Sequence, residues 1–183
     1  MKHKETTFAG KLVLATLFAI AGTSVQAQTF ELRMAVESVP GAREIERGDI
    51  DAGIDRLHQV LEQSLPVPAG AVATDLCAAY IMQRNLASAE RWCDRAVEES
   101  PRNGAAHNNR GVLRTLQGAF SAAVEDLREA TSLRNYKVGA QSHTEMINQG
   151  YRHESRQIAA RNLAIAERRW AAVKKEQPRL ANK

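Results

Sequence analysis

The sequence predicts an all-α fold: a short α-solenoid of stacked helical hairpins, closed by one long C-terminal helix. Three observations predict it. Residues 74–102 and 108–133 nearly repeat at an offset of 34 positions. Apolar residues recur there at steps of three and four rather than two, the spacing of helices. Gly and Pro are sparse and fall between the periodic stretches. A period of this length marks stacked helix pairs, in which one unit cannot bury its apolar face alone. A fold of this kind works by offering a surface, and the residues do not name what the surface holds.

The first 27 residues read as a secretory signal rather than as part of the fold. Lys2, Lys4 and Lys11 precede and open an apolar run over residues 12–22, and Val25-Gln26-Ala27 gives a cleavage site after Ala27. The run is about half of the ~20 residues that span a bilayer. No cysteine stands at the cut to carry a lipid anchor. The expected mature chain, residues 28–183, is long enough for one domain with a core. Its charge is uneven. Residues 152–183 carry nine Lys/Arg against three Glu, whereas residues 28–151 are net acidic.

From Ala73 to Gln83 the apolar residues Ala73, Leu76, Cys77, Ala79, Tyr80 and Ile81 mark a helix. Arg84-Asn85 breaks it. Leu86, Ala89, Trp92, Cys93, Ala96 and Val97 mark a second helix, which Ser100-Pro101 ends. The next unit repeats the plan, with a helix over 105–116, a turn at Gln117-Gly118, and a stripe of Phe120, Ala123, Val124, Leu127 and Ala130. Six pairs stay in register across the offset: Cys77/Gly111, Arg84/Gly118, Leu86/Phe120, Ala89/Ala123, Cys93/Leu127 and Ala96/Ala130.

At these residues the chain resembles the tetratricopeptide repeat family. The resemblance covers residues 71–135, as repeats over 71–103 and 104–136. In that family a small residue sits mid-way along the first helix, filled here by Gly111 and, in the equivalent place, by Cys77. Small residues early in the second helix are supplied by Ala89 and Ala123, and large apolar residues past the turn by Leu86 and Phe120. Pro101 matches the proline that closes a repeat; Asn135 stands there in the second unit. A degenerate copy lies upstream within 28–70, where Gly53 takes the small place and Ile50, Leu57 and Val60 the apolar ones. Pro40-Gly41 interrupts its first helix, so a short helix over 42–47 is expected. An extended stretch over 30–36 is expected to cover the open end of the solenoid.

Within 137–183 a single helix is predicted over 153–175, about 35 Å long at 1.5 Å per residue. Ala159, Leu163, Ala166, Trp170 and Val173 form its narrow apolar seam. Its first half is expected to cap the last repeat. Its second half, with Arg168, Arg169, Lys174 and Lys175, is expected to project.

Chemistry-bearing residues are few. Cys77 and Cys93 lie about eight residues to either side of one hairpin turn, in an exported chain, and are predicted to pair as a disulfide; the alternative is two buried thiols. No His pair has the spacing of a helical metal site. Glu98-Glu99 and Asp49/Asp51/Asp55 read as solvated helix faces, and neither a nucleophile elbow nor a phosphate-binding Gly loop is found. No catalytic residue, metal or cofactor is therefore assigned.

The resemblance implies a concave groove lined by the first helices of successive repeats. Carried onto this chain, its groove-facing positions are Thr74, Asp75, Ala78, Ile81 and Met82 in one unit and Asn108, Asn109, Val112 and Thr115 in the next. The asparagines are the strongest candidates, because an amide bonds both the N–H and the C=O of a peptide backbone. The expected function is that of an exported, periplasmic, non-catalytic adaptor or scaffold for a protein partner. Two further readings stand beside it: tethering to an anionic envelope surface through the basic helix, and service as an accessory subunit of an envelope enzyme. Nucleic acid is not expected, since no aromatics interleave the basic residues to stack on bases.

Overall fold

The computed structural model describes residues 29–35, 39–133 and 143–181, with the side chains of the last helix described over 153–176. The expected signal over 1–27 lies outside the described residues. Among the described residues every regular element is a helix: α1 Ala42–Glu46, α2 Ile50–Glu62, α3 Ala69–Met82, α4 Leu86–Glu99, α5 Gly104–Leu116, α6 Phe120–Ser132 and α7 His143–Ala181. Consecutive helices pack as neighbours from α1 to α6, and α7 lies against α6 and α5. The arrangement is solenoid-like, as the periodicity predicts.

Three hairpins, α1/α2, α3/α4 and α5/α6, share one turn. The residues at its sharpest point are Gly48, Arg84 and Gly118, all left-handed, with φ of 90°, 62° and 81°. Each donates its N–H to the carbonyl three residues back: Gly48 to Ile45, Arg84 to Ile81 and Gly118 to Thr115. The residue after each donates to the carbonyl five before it: Asp49 to Glu44, Asn85 to Tyr80 and Ala119 to Arg114. This is the pattern that satisfies the orphan carbonyls of a helix end. The same pattern ends α2, where Ser64, at φ 50°, donates to Leu61 and Leu65 donates to Val60; the turn between α1 and α2 thus uses the motif of the others, although α1 has only five residues.

The seam inside each hairpin is built from small residues facing larger ones. A Cβ at Gly111 would stand 2.5 Å from Leu127 Cγ and 3.2 Å from the Ala123 carbonyl oxygen, so only Gly lets α5 and α6 meet there. One unit earlier the same two places hold Cys77 and Cys93. They form a disulfide, with Cα atoms 4.7 Å apart, and both are fully buried. The bond clamps α3 to α4, as the spacing predicts. Such bonds persist in oxidising surroundings.

Helix α3 is buried almost all round, from Gly70 to Ala79 and again at Ile81. It is therefore the central element, flanked by α2, α4 and α5. Helix α7 is longer than expected, beginning ten residues before His153. It buries Ser155, Ile158, Ala159, Asn162, Ile165 and Ala166. Leu163 and Trp170 pack on Val124 and Leu127 of α6. The seam ends there: Val173 is 37% exposed, and residues 171–176 all face solvent.

One expectation changes. The extended stretch does not simply cover the open end of the solenoid. Residues 30–35 run along the faces of α3 and α5 and beneath α7. We call these six residues the arm.

Candidate functional site

The arm lies in a trough formed by α3, α5 and α7, against several of the positions that the resemblance implied would face a groove. The arm is held by its main chain at every second residue, because an extended backbone turns its peptide groups to the same side with a period of two. At Glu31 the N–H donates to Asn162 Oδ1 at 3.1 Å. The Glu31 carbonyl accepts from Asn162 Nδ2 at 2.8 Å and from Asn108 Nδ2 at 3.1 Å. At Arg33 the N–H donates to Asn109 Oδ1 at 2.9 Å, and the carbonyl accepts from Asn109 Nδ2 at 2.6 Å. At Ala35 the N–H donates to Asp75 Oδ1 at 2.6 Å.

These gripping side chains hold one another as well. Asn162 Nδ2 donates to Asn108 Oδ1 at 2.8 Å, and Asn108 Nδ2 donates to Asn109 Oδ1 at 3.2 Å. All four, Asp75, Asn108, Asn109 and Asn162, are fully buried. A buried amide stripped of its partners costs about 1–3 kcal/mol. Three such amides and the Asp75 carboxylate are buried together here, satisfied by one another and by the arm's peptide groups. The trough is built for main chain.

The arm's side chains face two ways. Phe30 and Leu32 pack on the cluster of Cys77, Ile81, Ala89, Cys93, Val112 and Leu113, and Met34 packs on the cluster around Val39, Leu57 and Leu76. The opposite face meets α7. Arg161 holds the Glu31 carboxylate through two bonds, Nε at 2.8 Å and Nη2 at 3.0 Å. Arg33 reaches Glu154 at 2.8 Å and Ser155 Oγ at 3.2 Å. The hydrogen bonds from Arg161 hold the Glu31 carboxyl below its ordinary value, and the charges of Arg161 and Arg33 add to this.

Each groove position named from the sequence has a definite place. Asp75, Asn108 and Asn109 grip the arm's backbone, and Ile81 and Val112 form its apolar wall. Ala78 is fully buried. The hydroxyls of Thr74 and Thr115 are turned back onto their own helix, donating to the carbonyls of Gly70 and Gly111 at 2.7 and 2.8 Å. Met82 is 42% exposed. Sequence reasoning missed Asn162. The available signal was a lone amide within the apolar spacing of α7, between Ala159 and Ala166.

Beside the trough, α5 and α6 are joined by a polar cluster. Asp126 accepts from Arg110 Nη2 at 2.8 Å and Nε at 3.0 Å, and from Arg114 Nη1 at 2.7 Å. His107 Nε2 bonds the Pro101 carbonyl at 2.9 Å, and its Nδ1 stands 3.6 Å from Asp126. Burial alone would raise the Asp126 carboxyl. The nearby His107 ring, the bonds from Arg110 and the charges of Arg110 and Arg114 outweigh burial and bring it below its ordinary value.

Of the basic residues named on α7, Arg169 lies 4.8 Å from the Phe30 ring centroid and Lys174 lies 3.4 Å from that of Trp170. Arg168 and Lys175 face solvent. Among the described residues no group of three or more His, Cys, Asp or Glu is placed to hold a metal ion. No described helix is long and apolar enough to cross a membrane. Comparison of the chain with protein-family models and with curated proteins finds no match.

Proposed function

We propose that the protein is an exported, non-catalytic adaptor of tetratricopeptide-like design, acting in an oxidising compartment such as the periplasm. It captures an extended segment of another protein in the trough formed by α3, α5 and α7. One observation carries this reading: Asn109 bonds both the N–H and the C=O of one extended residue, and Asn162 does the same for another two positions away. That geometry recognises backbone, which any sequence supplies, and leaves selectivity to the flanking walls. The disulfide supports export, since it locks the central helix of the trough to α4 in a form that oxidising surroundings preserve.

A photo-crosslinking residue placed at each of three exposed positions tests it in the native envelope. Met82 is on α3, Leu65 follows α2 and Val173 is on the solvent-facing end of α7. A protein adduct at Met82, absent at Leu65 and lost with Asn109→Ala, is the expected result. Adducts confined to Val173 would instead favour tethering through the basic end of α7, the rival reading, which rests on the exposure of residues 171–176. Identical adducts at all three positions would remove the trough from consideration.

A further inference from the structure

We propose that the trough reads a specific side-chain pattern, apolar–acidic–apolar–basic–apolar–small, and that the arm is its resident competitor. This rests on the reading of the trough as the binding surface. The arm shows what the trough accepts: Phe30, Glu31, Leu32, Arg33, Met34 and Ala35.

Four features read that order. The wall of Ile81, Val112 and Leu113 takes the apolar residues at the first and third positions, and the cluster at Leu57 and Leu76 takes the fifth. Arg161 presents a two-pronged donor to the second position, a fit for a carboxylate. Glu154 and Ser155 present acceptors to the fourth, a fit for Arg. Ala35 is buried, so the sixth position admits only a small residue. The amides fix the register, because shifting the segment by one residue would turn its charged side chains into the apolar wall. Direction is fixed too. Running the other way, a segment would set its basic residue against Arg161 and its acidic residue against Glu154.

The arm is suited to leave. Its hydrogen bonds join it to residues 40 to 131 positions away in sequence, so its release breaks no helix of its own. While docked it acts at an effective concentration of order mM, typical of a short tether. A segment arriving from another protein with equal contacts therefore binds with an apparent affinity reduced by the fraction of molecules whose trough is open. The arm sets a threshold that only a stronger or multiply attached segment passes.

The test uses the full mature chain and a fluorescent, capped synthetic peptide of residues 29–35. A control peptide exchanges its apolar and charged positions. In the variant Phe30→Ala with Leu32→Ala, the arm loses its wall contacts while the trough keeps every reading residue. The peptide is expected to bind this variant at least ten-fold tighter than wild type, and the control at least ten-fold weaker than the peptide. Adding Arg161→Glu to the variant should reverse the preference toward a peptide with Lys in the acidic place. Equal binding of peptide and control, no binding by the folded variant, or filling of the trough by a second copy's arm in a stable dimer would overturn the proposal. Should the variant fail to fold, hydrogen exchange on wild type decides: excess peptide must speed exchange at the amides of Glu31, Arg33 and Ala35, and unchanged rates would overturn it. A partner crosslinked at Met82 whose bound segment lacks the pattern would sink this inference alone, leaving the adaptor reading in place.

Discussion

At the scale of single residues, the three hairpin turns show how one backbone requirement is met in unequal ways. Gly48 and Gly118 take the left-handed conformation without steric cost, whereas Arg84 carries a Cβ into it at φ 62°. For a non-glycine residue that region costs about 1–2 kcal/mol, offset in part by the greater freedom glycine has when unfolded. Arg84→Gly is therefore expected to stabilise the protein by about 1 kcal/mol, read as a higher urea midpoint with an unchanged slope. Neighbouring Asn85 should continue to cap α4, accepting from the Ser88 N–H at 3.2 Å. In the sequence Arg84 aligns with Gly118, but only the structure shows that both positions are left-handed. The lone amide on the apolar side of α7 marked Asn162, but its partners Glu31 and Asn108 lie 131 and 54 residues away, so its place in the amide ladder could not be read from its neighbours.

Among the elements, the hairpin α3/α4 differs from α5/α6 in having a covalent seam. By the chain-entropy model, closing a loop between cysteines 16 positions apart is worth about 3 kcal/mol. Reduction, or Cys77→Ala with Cys93→Ala, should lower unfolding stability by about that amount in oxidised-versus-reduced urea titrations. The pair Cys77→Gly with Cys93→Leu, which copies Gly111 and Leu127, should recover part of the loss through packing. The repeat made α3 to α6 legible because small and large residues alternate across each seam at a fixed offset. The α1/α2 hairpin was partly legible through Gly48 and Gly53. The path of the arm was not. Residues 30–36 carry an alternating pattern that says extended, but the groups that fix its position come from three separate helices. The start of α7 was also missed, since the apolar spacing used to find it begins only near Ala159.

Over the whole molecule, two carboxylates on different interfaces tie stability to pH. Glu31 fastens the arm to α7, and Asp126 joins α6 to α5. Each titrates below its ordinary value in the folded chain. The unfolded chain then binds protons first as the medium acidifies, so the stabilisation is complete above the ordinary values of 4.5 and 3.8 and drains away as pH falls through the depressed ones. Urea midpoints should be level above about pH 5 and fall steeply below about pH 4. Asp126→Asn should lower the plateau, because Arg110 loses its buried counter-charge, and should shallow the acid limb. Glu31→Gln, at a solvent-facing pair, should change the limb slightly and respond to salt.

The arm's bonds to Arg161 and Asn162 have a further consequence. Stacked-repeat proteins transmit order only between nearest neighbours, so their ends can fray while the middle holds. Here the first described residues and the final helix share one seam, although about 130 positions separate them. Release of the arm therefore strips partners from Arg161 and Asn162 as well, while α7 keeps its packing on α6 and the disulfide keeps α3 on α4. The chain behaves less like a pile of plates than like a hoop with a clasp between its ends, which opens without unstacking the helices between them.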